Sequence, residues 1–95
     1  GESFVMAADM PGAIVPWAES LLVLTDERLL SLNTGLFRES LDTYQLNRLS
    51  AVESLKSRKK MTIKGTGLEE RFVIKGRDEL KQFVQEVRNQ LTEIN

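Results

Sequence analysis

From Leu80 to Ile94 the apolar residues Leu80, Phe83, Val84, Val87, Leu91 and Ile94 recur at i, i+3, i+4, i+7, i+11 and i+14. That spacing draws one stripe along an α-helix. Lys81, Gln82, Gln85, Glu86, Arg88 and Gln90 fall between the stripe positions and supply the wet face. Asp78 and Glu79 stand where the helix macrodipole favours acids, directly after a Gly76 that ends the preceding segment. The pattern predicts a helix over 78–93. An amphipathic helix of this kind must bury its stripe against something, so the rest of the chain has to present an apolar surface to it.

Residues 20–75 read as short strands that could form such a surface. "LLVLT" (21–25) and "RLLSL" (28–32) flank Asp26-Glu27, a tight hairpin connection. Asn33-Thr34-Gly35 reads as a second turn, with Gly35 available for a positive φ. "LFRESLDTYQL" (36–46) is expected as a third strand and "LSAVESL" (49–55) as a fourth, with Leu49 or Ala51, Val52 and Leu55 as core candidates. "KMTIKG" (60–65) alternates cleanly, Met61 and Ile63 opposing Lys60, Thr62 and Lys64. Gly65-Thr66-Gly67 turns the chain into "ERFVIK" (70–75), with Phe72 and Ile74 inward. Pro11 and Pro16 make the first nineteen residues irregular or an edge strand. Short strands followed by one helix predict a mainly β, α+β chain: an antiparallel sheet or barrel capped by the C-terminal helix. Leu80 and Phe83 are expected to contact Val23, Met61, Ile63, Phe72 and Ile74.

At 95 residues the chain reads as one domain, 1–95. A hydrophobic content of 41% argues against disorder. The chain contains neither cysteine nor histidine. Disulfides, thiolate metal sites and thiol catalysis are therefore excluded, and with them the commonest general base and metal ligand. No cofactor is expected. Apolar runs such as "LLVL" are far shorter than the ~20 residues a membrane helix needs. The acidic N-terminus does not read as a secretory signal, Gly1 is compatible with a cloning remnant, and a cytoplasmic location is expected, whether for this chain or for a longer protein containing it.

"LLVLTDERLLSLNTG" and the later "YQLNRLSAVESL" resemble the first hairpin and a later strand of bacterial pleckstrin-homology-like (PH-like) domains. The likeness covers about residues 20–93 and is most specific at Leu24 to Leu30 and Leu49 to Glu53. It implies about seven strands in a strongly bent sheet, plugged at one end by the helix. Members that bind phosphoinositides place paired basic residues in the loop after their first strand. The corresponding "DMPGAIVPWAES" has acids and no Lys or Arg, so specific headgroup recognition is not implied here.

The net charge of −1 hides a strong asymmetry. Residues 1–55 carry eight acids and three bases, residues 56–77 eight bases and two acids, and residues 78–95 four acids and two bases. Lys56, Arg58, Lys59, Lys60, Lys64, Arg71 and Lys75 are the candidate residues for binding an anionic partner. Such residues commonly do no more than keep a strand edge soluble. The less favoured reading is that they hold the phosphates of an anionic membrane surface. Nucleic acid is the poorer fit, because the only ring in the segment, Phe72, is assigned inward and cannot stack on bases. Trp17 is expected to cover one end of the core, and Tyr44 has no functional case.

Catalysis finds no support. The pairs Asp26/Glu27 and Glu69/Glu70 diverge on a strand or are solvated in a turn, and no histidine is present to activate a serine. The "GTG" at 65–67 sits between strands, where it cannot act as a phosphate loop. The sequence therefore favours a non-enzymatic interaction module, a protein–protein adaptor or a domain that joins its own copies. Attachment to an anionic membrane surface is the alternative.

Overall fold

The structure, a computed structural model, describes residues 1–11, 19–34 and 39–94. In chain order it contains strands β1 (Phe4–Met10), β2 (Glu19–Thr25), β3 (Arg28–Thr34), β4 (Glu39–Gln45), β5 (Leu49–Leu55), β6 (Lys60–Gly65) and β7 (Leu68–Val73). A single long helix, α1 (Arg77–Ile94), follows them. Short 3-10 turns at Leu46–Arg48 and Lys56–Arg58 lead into β5 and β6. The strands form two antiparallel sheets, β1-β2-β3-β4 and β5-β6-β7, in which, among the described residues, only sequence neighbours pair. The helix packs mainly on β5 and β1 and so covers both sheets. The fold is the expected mainly β arrangement of seven strands capped by the C-terminal helix. Among the described residues it is a two-sheet sandwich and no closed barrel.

Alternation across the strands decides what enters the core. Leu22 and Leu24 of β2, Leu29 of β3 and Ala8 of β1 point inward from the first sheet. Leu49, Val52, Met61, Ile63 and Phe72 point inward from the second, joined by Leu46 and Ile74 from the connections. Leu80, Phe83, Val84, Val87 and Leu91 of α1 are all buried, and Phe83 is the largest side chain with no exposed surface. Tyr44 of β4 meets Phe72 of β7 edge-on at 5.7 Å, an arrangement that suits the opposed charges of ring edge and ring face.

Several expectations need correction. Val23 does not line the core; it pairs with Ala7 and Leu30 on the outer face, because Leu22 and Leu24 occupy the inward positions. Leu55 is 48% exposed, where a core residue was expected. A register shift between Leu49 and Ala51 lets Leu49 and Val52 share the inner face, and continued alternation turns Leu55 outward. Asn33 and Thr34 continue β3 instead of turning. The last strand spans 68–73, not 70–75, although Ile74 is still fully buried. The helix begins one residue earlier and ends one later than 78–93, and its final stripe residue, Ile94, is 39% exposed. Residues 4–10 form the edge strand that was one of two readings of the N-terminal segment. Trp17, Gly35 and residues 36–38 of the expected third strand lie outside the described residues.

The first hairpin closes on a polar clamp. The Thr25 hydroxyl accepts from the backbone N–H groups of Glu27 and Arg28 and donates to the Glu2 carboxylate. Arg28 holds the same carboxylate through two nitrogens, Nε at 2.7 Å from Oε2 and Nη2 against Oε1. The Arg28 hydrogen bonds, followed by that from Thr25, hold the Glu2 carboxyl down from 4.5 to about 2. A carboxyl whose pKa is lower in the folded state contributes its stability above the unfolded value and loses it as pH falls through the folded one. We expect Glu2→Gln to melt below the parent at neutral pH, with the gap closing between pH ~4.5 and ~2. Thermal melts across that range check this, and a gap independent of pH would refute it.

Candidate functional site

The seven candidate cations occupy the second sheet and one of its ends. Antiparallel pairing sets three rows on its outer face: Ala51, Lys64 and Glu69; Glu53, Thr62 and Arg71; Leu55, Lys60 and Val73. Lys60, Lys64 and Arg71 thus share one face, as the alternation of "KMTIKG" requires. Lys64 Nζ lies 3.3 Å from Glu53 and 3.8 Å from Glu69, and Arg71 Nη2 lies 2.8 Å from the same Glu69. Two of the seven are therefore partnered by acids on neighbouring strands. The exposed, screened pairs add little stability, but they cancel much of the local charge.

The remaining five are brought together at one corner. The turn Lys56–Arg58 is closed by the Lys59 N–H donating to the Lys56 carbonyl at 3.1 Å. Lys59 itself adopts φ 52°, a left-handed conformation that costs an L side chain about 1–2 kcal/mol. Its carbonyl accepts from the Ile74 N–H at 2.8 Å, which ties the turn to the chain leaving β7. Lys59 Nζ reaches the Lys75 carbonyl at 3.4 Å. Among the described residues, none of Lys56, Arg58, Lys59, Lys60 and Lys75 forms an ion pair with an acid. Leu55 and Val73 flank Lys60 in the end row and are 48% and 45% exposed. The corner therefore combines uncompensated positive charge with two bare aliphatic side chains.

A second surface escaped the sequence reading. The outer face of the first sheet carries Val23 and Leu30 in one row and Leu21, Leu32 and Leu41 in the next. The first four are half-buried and stand apart from the core cluster. Leu41 is 58% exposed on β4, a strand whose residues are exposed on both faces except at Tyr44. β4 also ends its sheet, so among the described residues no strand pairs with its far edge. The signal was present in the uninterrupted runs "LLVLT" and "RLLSL", since a strand apolar at successive positions is apolar on both faces.

Among its own residues, Glu39–Gln45, β4 carries two acids and no base. Glu39 and Asp42 are exposed on the strand, and Tyr44 lies near Asp42 and Glu70. Burial, then Glu70 and Asp42, push the Tyr44 phenol above its ordinary pKa. No group of three potential metal ligands occurs among the described residues, and no helix is long and apolar enough to cross a membrane. Comparison with protein-family models and with curated protein sequences finds no match to this chain.

Proposed function

We propose that this chain is a PH-like, non-enzymatic interaction module that works by protein–protein contact through the outer face and free edge of its first sheet. The observation that carries the reading is the aliphatic outer face of β2 and β3, continued onto bare Leu41 at an unpaired edge. An exposed edge next to apolar side chains takes up extended segments, with backbone hydrogen bonds giving affinity and alternate side chains giving specificity. Support for the PH-like assignment comes from the resemblance of residues 20–93 together with the order of seven strands and a capping helix. The absence of histidine and cysteine from the whole chain supports a non-enzymatic role. The cationic corner, with Leu55 and Val73 beside it, favours a second reading, attachment to an anionic membrane surface.

A displayed library of ten-residue peptides tests the leading reading. Enriched peptides should alternate apolar and polar residues. Leu32→Thr/Leu41→Thr keeps strand-forming residues in place and should weaken binding about tenfold or more, with an unchanged far-UV spectrum. No enrichment over an unrelated domain, or binding indifferent to the double substitution, would rule the reading out.

A further inference from the structure

We infer that the β4 edge of one copy docks on the cationic corner of another copy, joining the chains head to tail. The inference rests on the protein-contact reading and names its partner.

Exposed aliphatic side chains stand beside uncompensated charge of opposite sign on β4 and at the corner. On β4, Leu41 is 58% exposed on the outer face together with the exposed acid Glu39, and the exposed Asp42 projects from the other face of the same edge strand; neither acid forms an ion pair among the described residues. At the corner, Leu55 and Val73 are 48% and 45% exposed beside Lys60 and the turn carrying Lys56, Arg58 and Lys59. Each patch offers what the other lacks: opposite charge for attraction, and bare apolar surface that loses water when the two meet.

Within one molecule the two patches leave each other uncompensated. The Lys75 N–H donates to the Asp9 carbonyl at 2.9 Å, which sets the corner against β1, the edge of the first sheet opposite β4. Among the described residues neither Glu39 nor Asp42 forms an ion pair with any of the corner's cations.

Charge also decides the symmetry of the contact. A two-fold pairing of β4 with its own copy lays a strand carrying Glu39 and Asp42 beside the same acidic strand. A two-fold pairing of corners sets cation on cation. Both arrangements are repulsive. Edge on corner is attractive, and because the two patches differ, each contact leaves one of each kind free for the next copy. Growth then continues until a ring closes.

Light scattering and sedimentation of the 95-residue chain over a concentration series, at low and at high salt, read the assembly directly. At low salt the average mass should rise with concentration, and high salt should reduce it. Glu39→Lys/Asp42→Lys and Arg58→Glu/Lys60→Glu alter surface positions only, and each variant alone should remain monomeric. Mixed together they should assemble again, because the reversed edge of one meets the reversed corner of the other. A mixture that stays monomeric overturns the inference, as does assembly of either variant alone to the parent's extent. A parent monomeric under all conditions overturns it too. If that monomer still binds the selected peptides, only the head-to-tail inference has failed and the protein-contact reading stands. If it instead pellets with phosphatidylserine vesicles, and Arg58→Glu/Lys60→Glu does not, the corner serves a membrane and the inference is again overturned.

Discussion

Phe83→Ala should lower the melting temperature by on the order of 20 °C. The ring is fully buried at the centre of the helix stripe, among side chains contributed by both sheets. Removing it leaves a cavity that the backbone of two hydrogen-bonded sheets cannot collapse into, and Phe→Ala truncations of this kind cost about 3–5 kcal/mol. A domain of this size has about twice that in total, and each kcal/mol shifts its midpoint by about 4–8 °C. Ile94 tests the other end of the same stripe. It is 39% exposed, so Ile94→Ala should stay within about 0.5 kcal/mol of the parent. Calorimetric or circular-dichroism melts decide the matter, and a Phe83→Ala protein melting with the parent would mean that the helix does not plug the sandwich.

Gly65→Ala should destabilise more than Gly67→Ala, although the latter is the glycine with the unusual backbone. A Cβ at Gly65 would stand 2.2 Å from the Arg48 carbonyl oxygen and 3.2 Å from its carbon. Both atoms are backbone, held in the 3-10 turn that anchors buried Leu46, so neither can swing aside. Relief requires β6 to move away from β5, and overpacking of this kind costs about 1–3 kcal/mol, occasionally more. At Gly67, with φ 69°, an added Cβ meets nothing within 4 Å, so only the left-handed conformation is penalised, at about 1–2 kcal/mol. Denaturant midpoints for the two variants give the comparison, and equal losses would show that Arg48 yields.

What the sequence disclosed follows from how its patterns are built. The helix was legible almost to the residue because its stripe repeats through four turns with polar residues between. "KMTIKG" was legible because its alternation is strict. "LLVLT" hid its facing, since every phase of a run of Leu and Val is apolar, and Val23 was accordingly misplaced. Leu55 was misread because a register irregularity changes the phase of β5, and nothing local in "LSAVESL" announces it. Gly65 and Gly67 look alike as turn residues. Only the tertiary approach of the Arg48 carbonyl separates a glycine needed for space from one needed for its φ. The seven cations are read directly from the sequence, but their division into two neutralised and five uncompensated depends on Glu53 and Glu69, which reach Lys64 and Arg71 from β5 and β7.

The strand pairing carries a last consequence. Among the described residues every ladder joins neighbours in the chain, and none runs between the two sheets. Each half can thus zip up from hairpins with little loop entropy to overcome, which favours quick folding for an all-antiparallel chain. The seam between the halves is instead closed by greasy side chains, by single backbone hydrogen bonds such as that from the Lys75 N–H to the Asp9 carbonyl, and by a helix that follows all seven strands. During translation the first four strands wait with their inner leucines bare until residue 91 has emerged, the interval in which a newborn chain is most open to mispairing with its neighbours.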